Sequence, residues 1–153
     1  MKAVIQRVKN ASVKVDGNII GQISEGFLVL LGVYETDTSE DTEILAKKVA
    51  NLRVFCDDED KMNLSLLDIE GEALVISNFT LCADTKKGNR PSFSLAKAPD
   101  EANTEYERFC GLLAENGVKR VEKGSFGADM KVELLNDGPV TIVLDTEIWR
   151  KKA

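Results

Sequence analysis

Two short stretches hold groups that could do chemistry. Ser77-Asn78-Phe79-Thr80-Leu81 places two hydroxyls and an amide directly after the apolar run Ala73-Leu74-Val75-Ile76. Polar groups at the exit of a buried strand can hold or attack a ligand. Equally, Ser77 and Thr80 could do no more than bond their own backbone. Asn136-Asp137-Gly138-Pro139-Val140-Thr141 sets turn formers between strand-like residues. Pro139 has no N–H to give a sheet, Gly138 reaches backbone angles closed to other residues, and a Gly-Pro bond can be cis at modest cost. The stretch reads either as a hairpin corner or as a stiff, side-chain-poor bend that presents carbonyls to a ligand. A third stretch, Lys86-Lys87-Gly88-Asn89-Arg90, is basic; it is either a solvated loop or a phosphate contact.

Composition narrows the chemistry. Histidine is absent, which removes Ser-His-Asp and Cys-His catalysis, histidine-ligated metals and any imidazole base. Cys56, Cys82 and Cys110 form no Cys-x-x-Cys pair, so neither a disulfide framework nor a zinc site is expected. The acidic run Asp57-Asp58-Glu59-Asp60 lacks the glycine and distal glutamate of a calcium loop. No metal and no cofactor are expected. A net charge of −6 opposes bulk attraction to nucleic acid, DNA included, but permits a local basic patch. Met1-Lys2-Ala3-Val4-Ile5-Gln6-Arg7 turns charged too soon for a secretory segment, and no apolar run nears the ~20 residues of a membrane span. The expectation is a cytoplasmic protein with no membrane partner.

The elements that must position these stretches follow from periodicity. Lys2–Val8 and Ala11–Val15 read as strands, with Asp16-Gly17-Asn18 turning the chain into a return strand through Ile19, Ile20 and Ile23. Gly26 to Val33 is continuously apolar, as suits a strand buried on both faces. Thr38 or Ser39 caps a helix running through Leu45, Val49 and Leu52. Arg53–Cys56, Leu64–Asp68 and Ala73–Leu81 read as strands, the last turning polar after Ser77. Asp100–Asn116 is a second helix with Tyr106, Phe109, Cys110 and Leu113 on one stripe and Gly117 as its stop. Val118–Val121, Met130–Leu135 and Val140–Asp145 are late strands. With no internal linker in residues 1–153, the pattern predicts an α+β fold: one domain of mixed β-sheets, opening on a β-hairpin, with two helices packed on one side.

The two stretches together carry a resemblance. Ser77-Asn78-Phe79-Thr80-Leu81 resembles the Ser-Gln-x-Thr-Leu motif of the D-aminoacyl-tRNA deacylases, with Asn78 where glutamine is usual. Asn136-Asp137-Gly138-Pro139-Val140-Thr141 matches that family's Asn-x-Gly-Pro-Val-Thr motif in full. Met1–Val8, Ala11-Ser12-Val13 and Gly127-Ala128-Asp129-Met130 are similar too, so the likeness spans essentially the whole chain. It implies a homodimer with sites near the subunit interface, hydrolysing the ester between a D-amino acid and the acceptor end of tRNA without a metal. It implies that Gly138 and Pro139, joined by a cis bond, line a chiral pocket together with Asn136, Val140, Thr141 and Met130. Arg7 would brace that corner, its alternative being an exposed strand arginine. Ser77, Phe79 through its backbone N–H, and Thr80 would be catalytic, with the shorter Asn78 displaced from a glutamine's reach. Lys86, Lys87 and Arg90 would meet tRNA.

A backbone wall rejects L residues whatever their side chain, and cannot reject glycine; glycyl-tRNA is therefore expected as a substrate as well. With no base beside it, Thr80 is a poor nucleophile, and water activated by the vicinal ribose hydroxyl is the favoured route. Two rivals stand beside this reading: a non-catalytic dimer that binds RNA ends, and a general ester hydrolase dependent on Thr80.

Overall fold

In the computed structural model, which describes residues 1–150, one long strand organises the rest. β1 (Lys2–Val15) runs without a break where the sequence suggested two strands. The turn at Asp16-Gly17 has φ values of 50° and 80°, the left-handed pair that a tight hairpin demands, and returns the chain as β2 (Asn18–Ile23). β1 pairs with β3 (Gly26–Gly32) over its first half and with β2 over its second, both antiparallel. Its other edge carries β8 (Lys131–Asp145).

The remaining strands join through helices. From β3 the chain passes through α1 (Ser39–Asn51), β4 (Phe55–Cys56) and β5 (Met62–Leu64) to β6 (Glu72–Ser77), which lies parallel to β3. α2 (Pro99–Glu115) then leads to β7 (Arg120–Lys123), parallel to β6. The sheet order is β2-β1-β3-β6-β7 with β8 on β1, and β4 and β5 form a separate pair. At α1, Thr38 is the cap, its N–H donating to Asp41 Oδ2 at 2.8 Å.

Two cores explain the mixed hydrophobic pattern. The helix-side core gathers Ala3, Ile5, Phe27, Val29 and Leu31 against Leu45, Val49, Tyr106, Phe109 and Leu113. Tyr106 is fully buried there and donates its hydroxyl to the Val75 carbonyl at 2.7 Å, tying α2 to β6. On the other face the sheet curls until β2 meets β7, and Val8, Val13, Ile23, Leu28, Leu74 and Ile76 fill the fold. A Cβ built on Gly21 would stand 2.7 Å from the Lys123 carbonyl, so glycine permits that closure. β3 and β6 are covered on both faces, which is why they read as unbroken apolar runs. The α+β prediction of mixed strands with two helices on one side holds.

Three local expectations are corrected. Leu64–Asp68 is not a strand: Ser65 and Asp68 bond each other's N–H groups and wind Ser65–Gly71 into a turn. The strand begun at Ala73 stops at Ser77, and Phe79–Cys82 forms a 3-10 turn. Asn136–Thr141 is no hairpin corner but a bulge inside β8. Between the pairs Gln6–Thr141 and Val8–Asn136, β1 supplies Arg7 alone while β8 supplies Asp137, Gly138, Pro139 and Val140. The extra residues swap the core that β8 serves. Val132 and Leu134 pack into the curl, whereas Val140, Ile142 and Leu144 pack toward the helices.

Candidate active site

A cavity of about 680 Å³ opens at the carboxyl ends of the parallel strands β3 and β6. Its floor is Leu30, Ile76 and Val132, and its walls include Phe126 and Met130 from the loop before β8. Ser77, Asn78 and Phe79 lie along one side. The acid and base among its lining are Asp129 and Lys97; Asp129 is paired with Lys131 at 3.1 Å, and Lys97 Nζ lies 3.4 Å from the Glu35 carbonyl.

The 3-10 turn is seated from below. Asn78 N–H donates to the Leu31 carbonyl at 2.8 Å, and the Tyr34 hydroxyl donates to the Leu81 carbonyl at 3.3 Å. Phe79 and Thr80 begin the turn, where an N–H has no intrahelical acceptor. Neither N–H has a partner among the described residues. The Thr80 hydroxyl donates to Asn78 Oδ1 at 2.5 Å, so its side chain is held by an amide, which is no base. Asn78 thus reaches its neighbour's hydroxyl. Cys82, in the same turn, is buried with Sγ 3.5 Å from the Val33 carbonyl, and burial pushes its thiol up to about 11. It stays protonated at neutral pH.

Gly138 and Pro139 do not line this cavity; they stand exposed on the bulge. The bulge is fastened from two sides. Asn136 Oδ1 accepts from Val140 N–H at 2.8 Å, while its Nδ2 donates to the Val140 carbonyl at 3.3 Å and to Thr141 Oγ1 at 3.2 Å. Opposite, Arg7 Nε donates to the Asp137 carbonyl at 2.9 Å and Nη1 to the Val54 carbonyl at 2.7 Å, with Cys56 Sγ 3.7 Å away. Arg7 is thus no free surface arginine. The Gly138-Pro139 bond is cis, and Gly138 has φ 136°. A Cβ there would lie 2.9 Å from Arg7 Nη2.

The family-model comparison matches residues 4–145 to D-Tyr-tRNA(Tyr) deacylase. The chain belongs to this family. The D-aminoacyl-tRNA deacylase of Clostridium botulinum (strain Eklund 17B / Type B) is 56% identical, over 95% of this chain and 97% of its own. That of Dictyoglomus turgidum (strain DSM 6724 / Z-1310) is 52% identical over 99% and 96%. A solved structure named c-Myc DNA Unwinding Element Binding Protein superposes with a TM-score of 0.90 at 43% identity, covering 95% of this chain and 98% of that one. A probable eukaryotic D-amino acid tRNA deacylase shares the fold with a TM-score of 0.81 at 18% identity, over 94% of this chain and 97% of that one. As a member of the deacylase family, the protein is an enzyme of the hydrolase class.

Within one chain of this deacylase-family fold, Ser77, Asn78, Phe79 and Met130 share the cavity, whereas Arg7, Asn136, Gly138, Pro139, Val140 and Thr141 share the bulge. Lys86, Lys87 and Arg90 are exposed on a loop pinched at its neck by the paired bonds between Asp84 and Ser92, 2.8 and 2.9 Å. Sequence reasoning missed Phe93, Lys97 and Phe126 on the cavity wall. Phe93 carried a signal, as an aromatic just past a polar, basic loop. Lys97 carried none.

Proposed function

We propose that the protein hydrolyses the ester between a D-amino acid and the terminal ribose of tRNA, glycyl-tRNA included, as a chiral proofreader of translation. The observation that carries this reading is the 3-10 turn beside the cavity: Phe79 lines the cavity, Thr80 follows it in the turn outside the lining, and the N–H groups of both are unpaired and able to receive a developing oxyanion. Its setting in a family whose curated members are named D-aminoacyl-tRNA deacylases supplies the substrate class. Water adds to the ester carbon, the tetrahedral oxyanion rests on the Phe79 and Thr80 N–H groups, and the ribose oxygen leaves with a proton. The neighbouring ribose hydroxyl orients the water and passes the proton, because Thr80 has only the Asn78 amide beside it.

Selection belongs to the bulge, and two copies of the chain are needed to bring it to the cavity. Across four strands the pairs Ile76–Leu30, Leu30–Val4 and Val4–Val143 form one row leading from the cavity floor to the outer strand. Val143 at its end is 61% exposed. An apolar row left open beside a cavity suits a second copy, whose own Gly138-Pro139 bend would close the L side of the pocket. Fixing the amino group and carbonyl sends D and L side chains opposite ways, and each ~1.4 kcal/mol of clash is tenfold in discrimination. Lys86, Lys87 and Arg90 serve the phosphates of the acceptor end.

A second reading, a nucleic-acid-binding dimer without turnover, is favoured by the basic loop and by the name of the structural relative at 43% identity. Incubating D-Tyr-, L-Tyr- and glycyl-tRNA with the protein and a chelator separates the two. Release of D-tyrosine and glycine with L-tyrosine retained is expected. Binding without release would establish the second reading, and equal release of both enantiomers would remove the chiral one.

A further inference from the structure

We infer that Phe93 is the stacking platform for the nucleobase that precedes the terminal nucleoside of the substrate. The inference rests on the deacylase reading and adds a residue to it. Phe79 and Phe93 pack edge to face at the cavity mouth, with centroids 5.0 Å apart and planes at 75°. Both rings remain exposed, 57% and 37%, an unusual outlay of aromatic surface in a segment rich in charge. Phe93 directly follows Ser92, one side of the neck that carries Lys86, Lys87 and Arg90. None of those three cations is in an ion pair with the described residues.

The mount is firm. Ala96 N–H donates to the Phe93 carbonyl at 3.1 Å, and Lys97 N–H to the Val33 carbonyl at 2.9 Å, so the segment is fixed against the end of β3. The path of the strand follows from the site. To bring its ester carbon to the Phe79 N–H, the terminal nucleoside must enter the cavity, whose 680 Å³ is the size of a small-molecule site. The preceding nucleotide then stays outside and crosses the rim. Phe79 and Phe93 are the aromatic part of that rim, and Phe93 is the first residue past the neck of the loop that carries the three cations. An aromatic face with cations on the adjoining loop is what single-stranded nucleic acid binds, through base stacking and phosphate attraction.

The test compares two esters of one D-amino acid, one on tRNA and one on the isolated terminal nucleoside, which has no preceding base. Phe93→Leu should lower kcat/KM on the tRNA ester about 10-fold more than on the nucleoside ester, through KM, and Phe93→Tyr should restore the ratio. An equal fall on both esters would make Phe93 a plain cavity wall and overturn the inference, as would no fall on either. Wild-type protein that leaves D-aminoacyl-tRNA intact would instead remove the deacylase reading, and this inference with it.

Discussion

Thr80 shows how one hydrogen bond decides a role. Its hydroxyl is committed to Asn78 Oδ1, and no histidine exists to free it. Thr80→Ala should therefore keep its single-turnover rate on D-aminoacyl-tRNA within about 10-fold, whereas deleting a true nucleophile costs orders of magnitude more. Rapid-quench kinetics measure this, and a trapped acyl-threonine would reverse the assignment. Residue types made this site partly legible. Polar groups after a buried strand and a glycine-proline pair could be picked out by eye. Their allocation could not, because hydrogen bonds such as Arg7 to Asp137 and Val54 join residues far apart in the chain.

At the level of elements, β8 carries four residues opposite one, and Asn136 is one of the two side chains that fasten them. Asn136 satisfies both the N–H and the carbonyl of Val140, a residue only 8% exposed. Asn136→Ala would leave those groups unpaired, at a cost of about 1–3 kcal/mol. Thermal unfolding should register a fall in Tm of roughly 2–12 °C, and an unchanged Tm would show the bulge to be held elsewhere. The same element explains a misreading. Outside the exposed Gly138, even-numbered residues face inward from Val132 to Leu144, so the alternation looks almost unbroken. The change of core at the bulge leaves no trace in a period of two, and the turn formers suggested a reversal of direction instead. β3, buried on both faces, was legible because nothing in its pattern depends on register.

Across the whole molecule, a charged cluster joins three distant parts of the chain. The Met1 ammonium meets Asp37 Oδ1 at 2.5 Å and Thr146 Oγ1 at 2.8 Å. Arg150 Nη2 meets the same Asp37 oxygen at 2.7 Å, and its Nε reaches Asp41 Oδ1 at 3.1 Å. Burial would raise Asp41, but the Thr38 N–H, Arg150 and Thr146 outweigh it and hold the carboxyl at about 2 against its ordinary 3.8. A depressed carboxyl stabilises the fold above its unfolded pKa, and that contribution drains away as pH falls through the folded value. Asp41→Asn should therefore unfold more easily at about pH 6 yet show a flatter loss of stability between about pH 4 and pH 2. Denaturant titrations at each pH measure this, and parallel curves for the two proteins would contradict it. The charges involved were visible in the sequence; their convergence was not, since it exists only once α1 and both ends of the described chain are folded together.

The outward stance of Gly138 and Pro139, away from their own chain's cavity, has a genetic corollary. If each pocket is finished by the neighbouring molecule's bend, a chain crippled in the bend and a chain crippled in the 3-10 turn fail for different reasons. Co-expressed, they would assemble one sound pocket per mixed pair. Two inactive alleles would then rescue one another, and neither would do so alone.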